Sequence, residues 1–286
     1  MSEQLNEFLD KPFVPKPHLI GRGVLPIGGK CIIGGEPKSN KSWVILNMML
    51  DLVRGRDIFG AKYKSGIPVL PVTRQYRVLY LEQELGDDGL RERLVGRDEG
   101  HPGIISGIAY DNLLWFIKPR DTAMRLDTPE GRDFVDNEVK QVKPDVVFLD
   151  PLGKFHLSDE NSSQEMGAVL RAADHLIEDH GCAVVFVHHT SKPFKDDIRQ
   201  GGNRLRGSSA IFGDIDTFIE VTRKSNEHHP EPVLQLDFTL RRGEPLESLF
   251  VVRKRDGSIE KLADDFKFGE PAKGGGSWPH GKYRSL

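Results

Sequence analysis

The sequence predicts an α/β fold: a mostly parallel central sheet with helices on both faces and an antiparallel extension at its C-terminal end. Three observations carry this. Short apolar runs alternate with helix-like stretches from residue 30 to residue 187, the signature of strands joined by crossovers. The runs at 145–150 (DVVFLD) and 183–187 (AVVFV) are apolar at nearly every position, as strands covered on both faces are. After Asp216 the texture changes to strands separated only by turns.

Residues 1–22 are polar and spaced by Pro12, Pro15 and Pro17, which predicts an arm rather than a packed element. Residues 30–33 (KCII) form a strand that runs into Gly34-Gly35, and the apolar stretch 43–53 (WVILNMMLDLV) forms a helix. Further strands are expected at 77–81 (RVLYL) and 113–117 (LLWFI). A helix over 129–142 stops before Pro144, because the residue preceding a proline is steered out of the helical region. In the helix at 163–180, Met166, Leu170, Ala173 and Ile177 recur at helical spacing. Strands at 217–221, 233–240 and 249–253 alternate with turn signals at Asn226-Glu227, Arg242-Gly243 and Asp256-Gly257. A single ATPase-sized domain over 23–265 is expected, with a glycine-rich, flexible tail over 266–286.

The formal net charge of −3 excludes a protein that coats nucleic acid by bulk positive charge, though not one with a few basic loops. Cys31 and Cys182 sit inside apolar runs and read as small core residues; no CxxC pair or Cys/His cluster suggests a disulfide or a metal site. The N-terminus lacks the basic-then-apolar pattern of a secretion signal, and no apolar run approaches the roughly 20 residues that span a bilayer. A cytoplasmic protein without a membrane segment is expected.

The segment Gly35-Glu36-Pro37-Lys38-Ser39-Asn40-Lys41-Ser42 matches the phosphate-binding pattern G-x-x-x-x-G-K-[ST] at every fixed position but one, and it follows a strand and opens a helix as that motif requires. Successive backbone N–H groups from Gly35 through Trp43, at a helix N-terminus, surround phosphates. Lys41 reaches the β- and γ-phosphates of ATP, and the Ser42 hydroxyl ligates Mg2+. The departure is Asn40, where the pattern has glycine. Asn is one of the few other residues that visits the left-handed region readily, so the nest is still expected to form.

Other candidates lie at strand ends. Asp150 closes a buried strand, where a carboxylate holds the water shell of Mg2+; a strand-end aspartate also caps the following turn. Glu82 and Glu84 end the strand RVLYL, where one carboxylate can take a proton from the attacking water, although solvated acids look the same. His188 and His189 end the strand AVVFV on the carboxyl edge where α/β sheets bind ligands.

The strings GEPKSNKS, VLYLEQE, VVFLDPLGKFHLSDENSS, VVFVHHTSK and RLRGSSAIFGDID, in that order and spacing, resemble the RepA-type hexameric replicative helicases of plasmids, within the RecA/DnaB-like P-loop ATPases. The resemblance covers about residues 20–222. It implies a RecA-like fold, Glu84 as catalytic base with Glu82 second, Asp150 as the acid on the metal side, and His188-His189 as a phosphate-sensing pair. It also implies that Arg206, in Arg-Gly-Ser-Ser, reaches the active site of the neighbouring subunit as an arginine finger, which makes a homo-oligomer, a hexamer in that family, a condition of turnover. The polar segment 190–206, with Lys192, Lys195, Arg199, Arg204 and Arg206 and one aromatic, Phe194, would be the loop that grips single-stranded DNA; a plain solvated loop is the alternative.

The expected function is therefore an ATP-dependent nucleic-acid motor, a ring-shaped DNA helicase or translocase. A RecA-like regulatory or mediator ATPase without unwinding activity is the alternative, and a small-molecule phosphotransferase on the same loop a more distant one.

Overall fold

The computed structural model describes residues 4–12, 17–98, 101–105, 114–117, 124–160, 162–190, 209–224 and 229–264. In chain order its elements are α1 (Leu5–Leu9), β1 (His18–Ile20), β2 (Leu25–Pro26), β3 (Lys30–Gly35), α2 (Lys41–Arg54), β4 (Val78–Glu82), α3 (Asp87–Val95), β5 (Gly96–Asp98), β6 (His101–Pro102), β7 (Leu114–Ile117) and α4 (Pro129–Val142). They continue with β8 (Val146–Asp150), α5 (Ser163–His180), β9 (Ala183–His189), α6 (Ser209–Asp214), β10 (Thr217–Lys224), β11 (Val233–Leu240), β12 (Leu249–Arg253) and β13 (Ile259–Lys261).

A nine-stranded sheet of order β13-β12-β11-β10-β3-β9-β8-β4-β7 forms the centre. From β10 to β7 all neighbours are parallel, while β11, β12 and β13 add on antiparallel, so the predicted extension is present. The apolar runs are used as two-faced strands. Val146 and Phe148 of β8, with Val185 and Val187 of β9, pack under α2. Val147 and Leu149, with Val184 and Phe186, pack against α4 and α5. Strand alternation thus assigns every second side chain to the α2 face and the rest to the α4/α5 face.

Helix limits follow local chemistry. Thr128 caps α4 by accepting from the Gly131 N–H with Pro129 in the first turn, and Ser162 caps α5 by accepting from Glu165 N–H. Gly181, left-handed, ends α5. The N-terminal expectation needs correcting. α1 buries nothing, as an arm should, but Leu19 and Ile20 of β1 are fully buried, so the packed domain starts within the segment read as an arm. These two apolar residues lie too close to Pro17 to show a pattern of their own. Cys31 and Cys182 are buried free thiols. Among the described residues no helix is long and apolar enough to cross a membrane.

Candidate active site

β3 carries the chain up to Gly35, where it turns tightly into α2. A side chain at Gly35 would bring a Cβ within 2.5 Å of the Val221 carbonyl oxygen and 2.6 Å of Ser39 Oγ, so only glycine lets the loop lie against β10. Asn40 stands at φ 74°, ψ 20°, left-handed, and caps α2 through its backbone alone: its carbonyl accepts from Trp43 and Val44, and its side chain makes no capping bond. The conformation that normally calls for glycine is thus met by asparagine. Lys38 is also left-handed, at φ 64°, which nothing in the sequence announces.

The loop and α2 form one wall of a cleft of about 320 Å3, lined by Lys38 to Trp43, Glu84, Leu85, Arg93, Asp150, Pro151, Val187 and His189. Four strands and the loop therefore bring the predicted groups together. Glu36 and Pro37 lie on the other flank of the loop, in a separate depression facing Glu220 and Arg223. The Lys41 ammonium is buried and donates to the carbonyls of Gly35 (2.8 Å) and Glu36 (2.9 Å), with His189 Nδ1 at 3.3 Å. A lysine has only donors, so His189 Nδ1 accepts in this contact and the ring is neutral.

The two histidines part company. His189 shares the α2 face with Val185 and Val187 and lines the cleft. His188, one residue earlier and buried, lies on the face of Val184 and Phe186, away from the cleft. A period of two places consecutive side chains on opposite sides of the sheet, which bars a strand-end pair from acting on one phosphate.

The acids are sorted by the β4–β8 register, which pairs Tyr80 with Phe148 and Glu82 with Asp150. Asp150 is buried, and its Oδ2 accepts from the Tyr80 hydroxyl at 2.8 Å, while Oδ1 has no hydrogen-bond partner among the described residues. Burial pushes its carboxyl up to about 6; the Tyr80 hydrogen bond and Lys41 pull it down, whereas Glu84 and Glu82 push further up. Burial and the neighbouring Asp150 hold the Tyr80 phenol well above its ordinary range, so it stays a neutral donor. Glu82 is buried too, and its Oε1 accepts from the backbone N–H groups of Glu84 and Leu85. That turn sends Glu84 out into the cleft, exposed, while Glu82 acts as its brace.

The residues present fit a hard cation with a polyphosphate. A buried carboxylate oxygen without a partner and the Ser42 hydroxyl line the same cleft, with the α2 N-terminus and Lys41 beside them. Among the described residues no three acidic, histidine or cysteine side chains gather as a metal cage, in keeping with a Mg2+ that takes most of its ligands from phosphate and water.

Arg93 of α3 escaped the sequence reading, because it looks like any solvated helix cation. It lines the cleft with its guanidinium 5.0 Å from the Trp43 ring centre, and Arg253 of β12 stands 5.2 Å from the same ring. Tyr80 was also passed over, although a phenol in an otherwise aliphatic buried strand demands a partner and signals one. Arg206 and the segment 190–206 beyond Thr190 lie outside the described residues.

A family model described as an AAA domain, AAA_25, matches residues 2–194, well over half of the chain. The fold is similar to the solved ATPase domain of a DnaB-like helicase, with TM-score 0.59 at 14% identity over 82% of this chain and 85% of that one. It is similar also to a KaiC-like protein, PH0186, from the hyperthermophilic archaeon Pyrococcus horikoshii OT3, with TM-score 0.53 at 12% identity over 88% of this chain and all of that one (100%). At these identities the likeness is one of fold, and it agrees with the strand order and the position of the phosphate loop. The chain belongs to the AAA_25 family and is a P-loop ATPase of RecA/DnaB-like fold.

Proposed function

We propose that this ATPase is a nucleic-acid motor, a ring-shaped DNA helicase or translocase that hydrolyses ATP at the junctions between its copies. The observation that supports this most is the junction of β9 with the phosphate loop. His189 stands against Lys41, and the next residue, Thr190, donates its N–H to the Gly35 carbonyl at 3.1 Å. The segment 190–206, with its five lysines and arginines, therefore starts on the nucleotide loop itself, and a change at the γ-phosphate has a short covalent route into it.

In this reading the loop amides and Lys41 bind the phosphates, and Ser42 and Asp150 hold Mg2+, which when bound neutralises charge on the phosphate oxygens. Glu84 accepts a proton from the attacking water as the bond from the γ-phosphorus to the bridging oxygen breaks and ADP leaves. His189 reports phosphate occupancy to the segment that follows. Arg206 from a neighbouring copy completes the site. A finger of that kind contributes about 10³–10⁵ in rate in well-studied NTPases.

The test is the ATPase rate with and without single-stranded DNA, run beside the oligomeric mass. DNA should stimulate turnover in a closed oligomer. Arg206→Ala should bind nucleotide but not turn it over. Mixing it with Lys41→Ala should restore part of the activity, since each variant supplies what the other lacks. If a forked duplex stays wound while ATP is hydrolysed, the helicase reading is wrong. Tight binding with negligible turnover even on DNA would favour the regulatory ATPase instead.

A further inference from the structure

Tyr80 lies in the floor of the site. It sits on β4 opposite Phe148, one pleat below the Glu82–Asp150 pair, so all four side chains project from the face that α2 covers. It is fully buried, and its hydroxyl donates to Asp150 Oδ2 at 2.8 Å. A phenylalanine would fill the same space in the core without needing a partner, so packing alone does not explain the hydroxyl.

The carboxylate it meets is unusual in having one oxygen engaged and the other, Oδ1, buried and unpartnered beside the cleft. An aspartate carboxylate turns easily about its last torsion, which is broad and nearly two-fold. Without a fixed donor, Asp150 has no reason to keep one oxygen toward the cleft. Its flank offers only further acids: Glu82 sits in register beside it, and Glu82 Oε2 is likewise buried without a partner. A neutral donor on the core side breaks this degeneracy without competing with a cation for charge.

We propose that Tyr80 is a positioning residue for the metal: by holding Oδ2 of Asp150 from below, its hydroxyl presents Oδ1 to the water shell of Mg2+ in a single orientation. The inference rests on Asp150 as the metal-side acid of the proposed function, and the test separates the two.

The affinity of a fluorescent ADP analogue is measured in EDTA and across a MgCl2 titration for the parent, Tyr80→Phe and Asp150→Asn. In EDTA, Tyr80→Phe should match the parent within about twofold, showing that the fold and the phosphate loop are intact. The Mg2+ concentration at half-maximal tightening should rise about five- to tenfold, the size expected for loss of one oriented partner behind a metal ligand. Asp150→Asn should lose the tightening, and adding Tyr80→Phe to it should change nothing more. A Tyr80→Phe protein that melts earlier but keeps the parent's Mg2+ dependence would make the hydroxyl merely structural and overturn the proposal. Should Tyr80→Phe fail to bind in EDTA, the comparison of Asp150→Asn with the double variant decides: a further loss on adding Tyr80→Phe shows a role outside Asp150 and also overturns it. If Asp150→Asn keeps its Mg2+ response, the fault lies with the reading of Asp150.

Discussion

Replacing Asn40 by alanine isolates what a left-handed backbone costs the phosphate loop. Asn40 sits at φ 74°, ψ 20°, and its side chain makes no capping hydrogen bond, so removing the amide deletes no bond that holds the helix end. What changes is conformational preference. Alanine resists the left-handed region by about 1–2 kcal/mol, and asparagine by roughly half of that, so the substitution should cost about 1 kcal/mol. That energy must appear somewhere. If the loop keeps its shape without nucleotide, the loss shows as a lower unfolding free energy; if the loop relaxes, it shows as nucleotide affinity weaker by about fivefold. Urea denaturation without nucleotide and a binding titration together capture both shares, and their sum should be near 1 kcal/mol. Asn40→Gly should be neutral or slightly favourable on the same sum. If Asn40→Ala loses less than about 0.3 kcal/mol in total, or binds more tightly than Asn40→Gly, the account of this position as a glycine substitute is refuted.

Two further outcomes follow from the surroundings of α2. Burial pushes Asp51 up to about 6, only partly offset by the hydrogen bond it accepts from Phe59 N–H, so its ionised form is disfavoured in the fold and stability falls as pH rises from about 4 to about 6. Asp51→Asn keeps an acceptor for Phe59 and should become more stable than the parent across that window, by at most about 3 kcal/mol at pH 7.5; a gap that stays constant with pH would contradict it. Gly257→Ala places a methyl 2.0 Å from a Trp43 ring carbon at a φ of +86°, and should lower stability by about 2–4 kcal/mol while weakening nucleotide binding through Trp43. An unchanged urea midpoint would show that the β12–β13 turn does not pack on the ring as described.

Much of the frame was legible in the sequence because it is written in local chemistry. The helices at 129–142 and 163–180 run between signals that act over three or four residues: Thr128 and Pro129, then Pro144; Ser162, then Gly181. The strands at 233–240 and 249–253 are framed by turn residues in the same way. α3 was not read because Leu90 is its one buried residue, which leaves no periodicity to detect. β1 is three residues long, and its burial comes from distant parts of the chain. Arg93 shows no local mark at all; only the return of α3 toward α2 turns a helix-surface cation into part of the cleft.

By itself the sequence determined that there is a phosphate loop, that Asn40 would have to stand left-handed in it, and that acids and histidines end the strands around it. These are properties of short segments, set by backbone sterics and by runs of apolar residues. Only the tertiary structure decided which of those strand ends meet. The β4–β8 register put Glu82 beside Asp150 and Tyr80 beneath it, and the pleat of β9 turned His189 toward Lys41 and His188 away. Register and facing are relations between segments far apart in the chain, and a single residue's shift in either would change every partner in the site.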